Sequence, residues 1–221
     1  MKIAAKLTAI FCIAVTLATI CIPARAQVFG IKGGITLGTV STKEVDTVTP
    51  MLNYYYETYF SYRFARYKYW TVGLGYFGTG ATFCDIEYPN EIPYKAKVRF
   101  NNLVAPIKLK VSAEGRHKPR PYFFIGVMPT IMYNEDKTLT FNKTEKQKDT
   151  HTEYVFQWTP RRVNIYALGG GGCYYRHFTC DFMLTINALR DYKEIEAPIS
   201  YNKNFVITIG YQISRDTKKI W

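Results

Sequence analysis

The stretch NFVITIGYQIS, residues 204–214, decides how this chain is read. Alternate positions put Phe205, Ile207, Ile209, Tyr211 and Ile213 on one face and Val206, Thr208, Gly210, Gln212 and Ser214 on the other. Successive side chains of a β-strand point to opposite sides, so this is a strand with one oily face and one face of mostly small and polar groups. The oily face must meet a protein core, a greasy ligand or the hydrocarbon of a bilayer.

Seven earlier segments follow the same period, near residues 28–39, 53–64, 69–83, 101–112, 122–133, 163–175 and 178–189. In the first, Phe29, Ile31, Ile35 and Leu37 oppose Lys32, Gly34 and Thr36; in the second, Tyr54, Tyr56, Phe60 and Tyr62 oppose Asn53, Glu57, Ser61 and Arg63. The third sets Trp70, Val72, Leu74 and Tyr76 against Thr71, Gly73 and Gly75, and the fourth sets Leu103, Ala105, Ile107, Leu109 and Val111 against Asn102, Lys108, Lys110 and Ser112. The fifth is apolar on both sides, with Phe123, Ile125, Val127 and Ile131 assigned outward, and the run Gly169-Gly170-Gly171-Gly172 blurs the sixth. The seventh restores the rule, with Phe178, Phe182, Leu184 and Ile186 against Thr179, Asp181, Thr185 and Asn187. Each segment has about the 9–11 residues that carry a tilted strand across a bilayer. Pro106 and Pro129 fall inside strands, where each removes a ladder donor and is expected to mark a bulge.

The connections alternate in length. Short joins follow the second, fourth and sixth segments, namely Ala65-Arg66-Tyr67-Lys68, residues 115–120 and Arg176-His177, while longer polar ones follow the others, the longest near residues 134–162. Short turns at one rim and long loops at the other are the pattern of an outer-membrane barrel with its short turns in the periplasm. A soluble lipid-carrying barrel would turn its apolar face inward and cover its exterior with charge. Here the less oily face is poor in Lys and Glu and rich in Gly, Thr, Ser and Asn, which suit a narrow bore. The broad aromatic face would be an aggregation hazard in water. Lipid outside satisfies both, and closure leaves no open edge in hydrocarbon. The expected fold is therefore all-β: an eight-stranded antiparallel up-and-down transmembrane β-barrel over residues 27–221, preceded by a cleaved signal peptide over residues 1–26.

That signal rests on Lys2 and Lys6, the apolar run of residues 7–22 and the small-x-small site Ala24-Arg25-Ala26 before Gln27. Cys21 suggests a lipoprotein, but bulky Ile20 stands where such signals carry a small residue. The expected location is the outer membrane of a Gram-negative bacterium, reached through the Sec pathway. Beyond the signal no apolar run approaches the ~18 residues of a helical span. The formal net charge is +12, and the nineteen Tyr favour strands and membrane-interface positions. An exported chain seldom meets nucleic acid, so none is expected as a partner; the cations belong to solvated loops or face anionic head groups and glycans.

Several stretches also carry a family likeness. FGIKGGITLG is similar to the first strand of the Bacteroidota outer-membrane β-barrel family known as PorT-like barrels, and TVGLGYFGTGA to its third. LVAPIKLKVSAEGRHKPRPYFFIGVMPTIMY resembles its central hairpin, and YALGGGGCYYR followed by FTCDFMLTINAL its Gly-rich strand and the next. The resemblance covers nearly all of the chain after the signal and implies a barrel at the cell surface or a component of a protein-secretion apparatus. It implies no catalytic residue.

The bore is expected to hold Lys32, Glu57, Arg63, Lys108, Lys110 and Asp181. Charges in a low-dielectric interior persist when paired or hydrated, so they should form an ion-pair network. Such a network is either an ion path with a gate or a packed plug, and eight strands favour the plug. A two-residue turn at Arg176-His177 would set Cys173 directly across from Cys180, as free thiols or as a disulfide. His177 and Thr179 share a side of their strand, which a lipid hydrolase could use, but the short-turn rim is the wrong side for surface lipid. His117 and His151 have no metal-ligand spacing, and Asn142-Lys143-Thr144 matches a glycosylation sequon in form only. No catalytic constellation, metal site or cofactor is expected. The leading function is a non-enzymatic surface barrel; a subunit of an envelope machine comes second and an outer-membrane lipid-modifying enzyme a distant third. Expected partners are outer-membrane lipid and lipopolysaccharide, the barrel-assembly machinery during insertion, and an envelope-complex protein in the second case.

Overall fold

A computed structural model describes residues 27–41, 48–86, 94–113, 119–141, 162–188 and 201–214. The expected signal, His117, His151 and the sequon lie outside them. The strands are β1 (Gln27–Ser41), β2 (Val48–Ala65), β3 (Lys68–Ile86), β4 (Tyr94–Val104), β5 (Ile107–Ser112), β6 (Arg120–Phe141), β7 (Val163–Tyr175), β8 (Phe178–Asn187) and β9 (Tyr201–Ser214). All pairings are antiparallel, each strand pairs with its chain neighbours once β4 and β5 are counted as one, and β9 returns to β1, from Val28 opposite Ser214 to Ser41 opposite Tyr201. The sheet is thus a closed up-and-down ring of eight staves. No helix among the described residues is long and apolar enough to cross a membrane.

The ninth element arises because the expected fourth strand is broken. β4 and β5 are two halves of one stave, separated at Ala105-Pro106, and both pair with β3 on one side and β6 on the other. Pro106 therefore interrupts the ladder rather than bulging it, while Pro129 stays inside β6 opposite Ile165. The proline nitrogens carry no hydrogen to donate. Gly73 N–H donates to Pro106 O (2.9 Å) and Ala105 N–H to Pro129 O (3.0 Å), so the seam stays closed across the break. Ala105, expected to face outward, is buried at that break.

The alternation is otherwise realised. Phe29, Ile35, Trp70, Leu103, Phe123, Ile125, Phe182, Leu184, Ile207 and Ile209 are exposed, and the intervening positions face the bore. A broad apolar exterior around a polar interior inverts the arrangement of a water-soluble domain and fits a bilayer.

Among the described residues the staves differ in height. On one side β7 begins at Val163 opposite Ile131, whereas β6 runs ten residues further, to Phe141, paired to β4 as far as Tyr94. The expected long loop near residues 134–162 is therefore strand over its first part. β3 follows β4 upward to Ile86, and β2 follows β3 with Val48 opposite Phe83. Together these form a raised wall on the long-loop side. A register shift between Asn101 and Asn102 inserts Tyr133 as a bulge. Beyond it the outer face changes from Leu103, Val127 and Ile131 to Lys97, Arg99, Asn134 and Asp136. Such a switch marks where the wall leaves hydrocarbon. Asn101 Nδ2 donates to Asp136 Oδ2 (2.8 Å), and Asn101 Oδ1 accepts from Tyr76 Oη (2.6 Å), which stitches three strands together at that level.

Candidate functional site

The register fixes where inward side chains sit along the bore, and they sort into three storeys. Nearest the short turns, β1, β2, β5 and β8 contribute Lys32, Glu57, Lys108, Lys110 and Asp181, none more than 5 % exposed. Lys108 Nζ donates to Glu57 Oε2 (2.6 Å), which also accepts from Tyr55 Oη (2.8 Å). Lys32 Nζ donates to Asp181 Oδ2, and Tyr122 Oη donates to Asp181 Oδ1. Each carboxylate thus holds one ammonium and one phenol, which is how a buried charge is kept without water.

Lys110 is held differently. Its Nζ donates to Tyr174 Oη (2.6 Å) and lies over the rings of Tyr122 (4.4 Å), Tyr174 (5.0 Å) and Tyr59 (5.8 Å). The negative faces of aromatic rings stabilise a desolvated cation without a carboxylate. Two glycines make the room: a Cβ at Gly73 would touch Glu57 Oε1 (2.5 Å), and one at Gly172 would touch Asp181 Oδ1 (2.6 Å) and Tyr122 Cζ (2.9 Å).

Above the charges lies an apolar plug of Tyr55, Phe77, Val104, Phe124, Met128, Tyr166, Leu168, Met183 and Val206, with Tyr55 edge-on to Phe77 (6.1 Å) and Phe77 edge-on to Tyr166 (5.5 Å). Above that, Thr79 Oγ1 donates to Asn204 Oδ1 (2.5 Å) and Asn204 Nδ2 to Thr185 Oγ1 (3.1 Å), in a storey of hydroxyls and amides without charge. The three storeys follow one another along the bore.

Five of the six expected lumen charges meet in the lowest storey. Arg63 does not. It shares the inward parity but sits at the end of β2, where the register shifts before Ala65, and its Nε donates to Ala65 O (3.4 Å) at the mouth. The phenols of Tyr55, Tyr59, Tyr122 and Tyr174 are the partners that sequence reasoning missed; their inward parity is readable, but Tyr is equally at home on the lipid face.

Cys173 and Cys180 stand opposite each other in the β7–β8 register, and both are free thiols. Cys180 projects to the outside between Phe178 and Phe182. The side chain of Cys84 lies outside those described. His177 Nδ1 donates to Gln212 O (3.3 Å) and its ring lies against Tyr211 (5.7 Å), while Thr179 faces the bore and is buried. No group of His, Cys, Asp and Glu among the described residues could hold a metal ion.

A closed antiparallel ring with an oily exterior and buried charges and amides inside its bore defines an outer-membrane type of β-barrel. The chain belongs to the family of the outer membrane protein beta-barrel domain, which matches residues 25–194. β9, which closes the ring, lies past that match. No curated protein matches the chain in sequence. Among solved structures it is similar to Ail of Yersinia pestis in complex with the heparin analogue sucrose octasulfate, at 10% identity and TM-score 0.42 over 85% of this chain and 99% of that one. It is also similar to OprG from Pseudomonas aeruginosa, at 14% identity and TM-score 0.46 over 85% and 96% of the two chains. Neisserial surface protein A is similar at 9% identity and TM-score 0.42 over 84% and 97%.

Proposed function

We propose that this outer-membrane barrel is non-enzymatic and acts through its raised wall, which presents a rigid polar surface to a partner outside the cell. The wall's outer face, where Arg99 stands opposite Asp136 across β4 and β6, is the observation that supports this reading. The packed and hydrogen-bonded side chains inside the bore serve to hold the staves together. Residues 1–26 serve as a Sec signal, and insertion draws on the barrel-assembly machinery.

Solubilisation of the outer membrane in a mild detergent tests the reading. The barrel is expected as a lone heat-modifiable band. Co-purification of an envelope protein in stoichiometric yield would instead support the machine-subunit reading that the PorT-like resemblance implies. Substituting His177 by Ala is expected to leave the lipid A species of the cells unchanged; a change would support a lipid-modifying enzyme.

A further inference from the structure

The rim formed by the short turns carries charge of one sign. Arg66, Lys68 and Arg176 are exposed there, and Arg63 and Arg120 stand at the mouth beside them. Among the described residues of this rim there is no Asp or Glu. In sequence, the turn between β5 and β6 adds Arg116 and Lys118 against Glu114, so the excess persists across it. The opposite rim mixes its signs, with Lys97, Arg99, Arg162 and Lys203 among Glu135 and Asp136.

The basic rim is also built as a membrane-interface collar. Phe64 lies against Trp70 (6.0 Å), Phe178 is edge-on to Tyr211 (5.6 Å), and all four rings are exposed on the outer face. Aromatic residues of this kind sit at the head-group level. The cations are held beside rings: the Arg66 guanidinium lies 5.1 Å from the Tyr67 ring and that of Arg176 lies 5.6 Å from the Tyr175 ring. Both turns are fixed to neighbouring strands, because Ser112 N–H donates to Tyr67 O (2.9 Å) and Gln212 N–H donates to His177 O (2.7 Å). Tyr67 (φ 63°) and Arg176 (φ 55°) occupy left-handed backbone that Gly or Asn would adopt with less strain. The chain keeps a ring and a guanidinium there instead.

We infer that the short-turn rim is a binding surface for anionic phospholipid of the leaflet it meets, with Arg66, Lys68 and Arg176 on the lipid phosphates and Trp70, Phe64 and Phe178 on the adjoining acyl chains. This rests on the barrel spanning a bilayer. Basic residues beside a membrane gain from anionic head groups, and the gain decays within a Debye length.

The test follows the quenching of Trp70 in the full chain carrying W158F and W221F, reconstituted into vesicles of zwitterionic phosphatidylcholine with about 30 mol % phosphatidylglycerol. One or the other lipid is brominated near its head group, at equal mole fraction. Brominated phosphatidylglycerol is expected to be enriched about twofold or more around Trp70 relative to its share of the bilayer, and brominated phosphatidylcholine is not. The enrichment should vanish in R66Q/K68Q/R176Q, whose folding is checked by its heat-modifiable band, and in the unsubstituted protein at about 1 M salt. Equal quenching by the two lipids at low salt would overturn the inference while leaving the membrane reading intact. So would a preference that survives both the substitutions and the salt. Absence of quenching by either lipid would overturn both.

Discussion

Replacing Glu57 by Gln takes one carboxylate from the lowest storey and leaves Lys108 facing an amide. At the observed 2.6 Å and an effective dielectric of about 20, the lost attraction is about 6 kcal/mol before any desolvation is counted. Desolvation offsets most of it. Glu57 is only 2 % exposed and its Oε1 accepts no hydrogen bond among the described residues, so part of the cost of burying the carboxylate is not recovered. The pair is therefore expected to contribute little net stability while being costly to break. Removing either partner alone, as E57Q or K108M, should cost about 3–5 kcal/mol, because each leaves a buried group without its counterpart.

The double variant E57Q/K108M separates these effects. The amide that replaces the Glu57 carboxylate can still accept from Tyr55 Oη, and the thioether that replaces the Lys108 ammonium lies where that ammonium now stands 5.6 Å from the Phe124 ring. The double variant should fall within about 1–2 kcal/mol of the parent, giving a coupling energy of at least about 4 kcal/mol. Equilibrium urea unfolding in lipid vesicles, read by tryptophan fluorescence and heat-modifiability, measures all four proteins. Single changes below about 1 kcal/mol that simply add in the double variant would refute the reasoning, because they would mean that water reaches the storey and screens its charges.

Two other expectations concern β7. Substituting Gly170 by Ala should destabilise the barrel by about 1–3 kcal/mol in the same unfolding assay, since the added methyl would meet the Phe182 carbonyl and lie 2.8 Å from Phe124 Cζ. Ala in place of Gly169 has only one atom near, Phe124 O at 3.9 Å, and should be tolerated. In a C84S background, Cys173 and Cys180 should resist a charged, water-soluble maleimide in vesicles and react when the barrel is unfolded; rapid labelling of the folded protein would place them outside hydrocarbon.

The period-2 alternation announces the fold because a bilayer on one side and a narrow bore on the other impose opposite demands on neighbouring residues. It fails where those demands coincide. β6 reads as two-sided because Tyr122, Phe124 and Met128, which face inward, pack in the apolar interior, while Phe123, Ile125 and Val127 meet lipid. The four glycines of β7 blur their segment for a related reason: Gly170 and Gly172 stand aside for the rings of Phe124 and Tyr122. The upper part of β6 has the sequence of a loop because a strand that has left the membrane no longer needs an apolar face, and Asn134 and Asp136 bear none of the expected pattern.

Parity alone leaves a second quantity open, the height of each residue along the bore. Inward parity puts Lys32, Glu57, Arg63, Lys108, Lys110 and Asp181 on one surface, but which of them meet depends on register carried around the whole ring. Lys32 and Asp181 are 149 positions apart in the chain and touch because β9 stands between β1 and β8, with Thr208 opposite Asp181 and Gly210 opposite Lys32. Arg63 lies only six positions from Glu57 on the same strand. At the ~3.3 Å rise of a strand, that separation is about 20 Å along the stave, too far for its side chain to reach the cluster. The storey therefore holds three lysines against two carboxylates, and Lys110, whose described hydrogen bond goes to the Tyr174 phenol, is the one set among tyrosine rings.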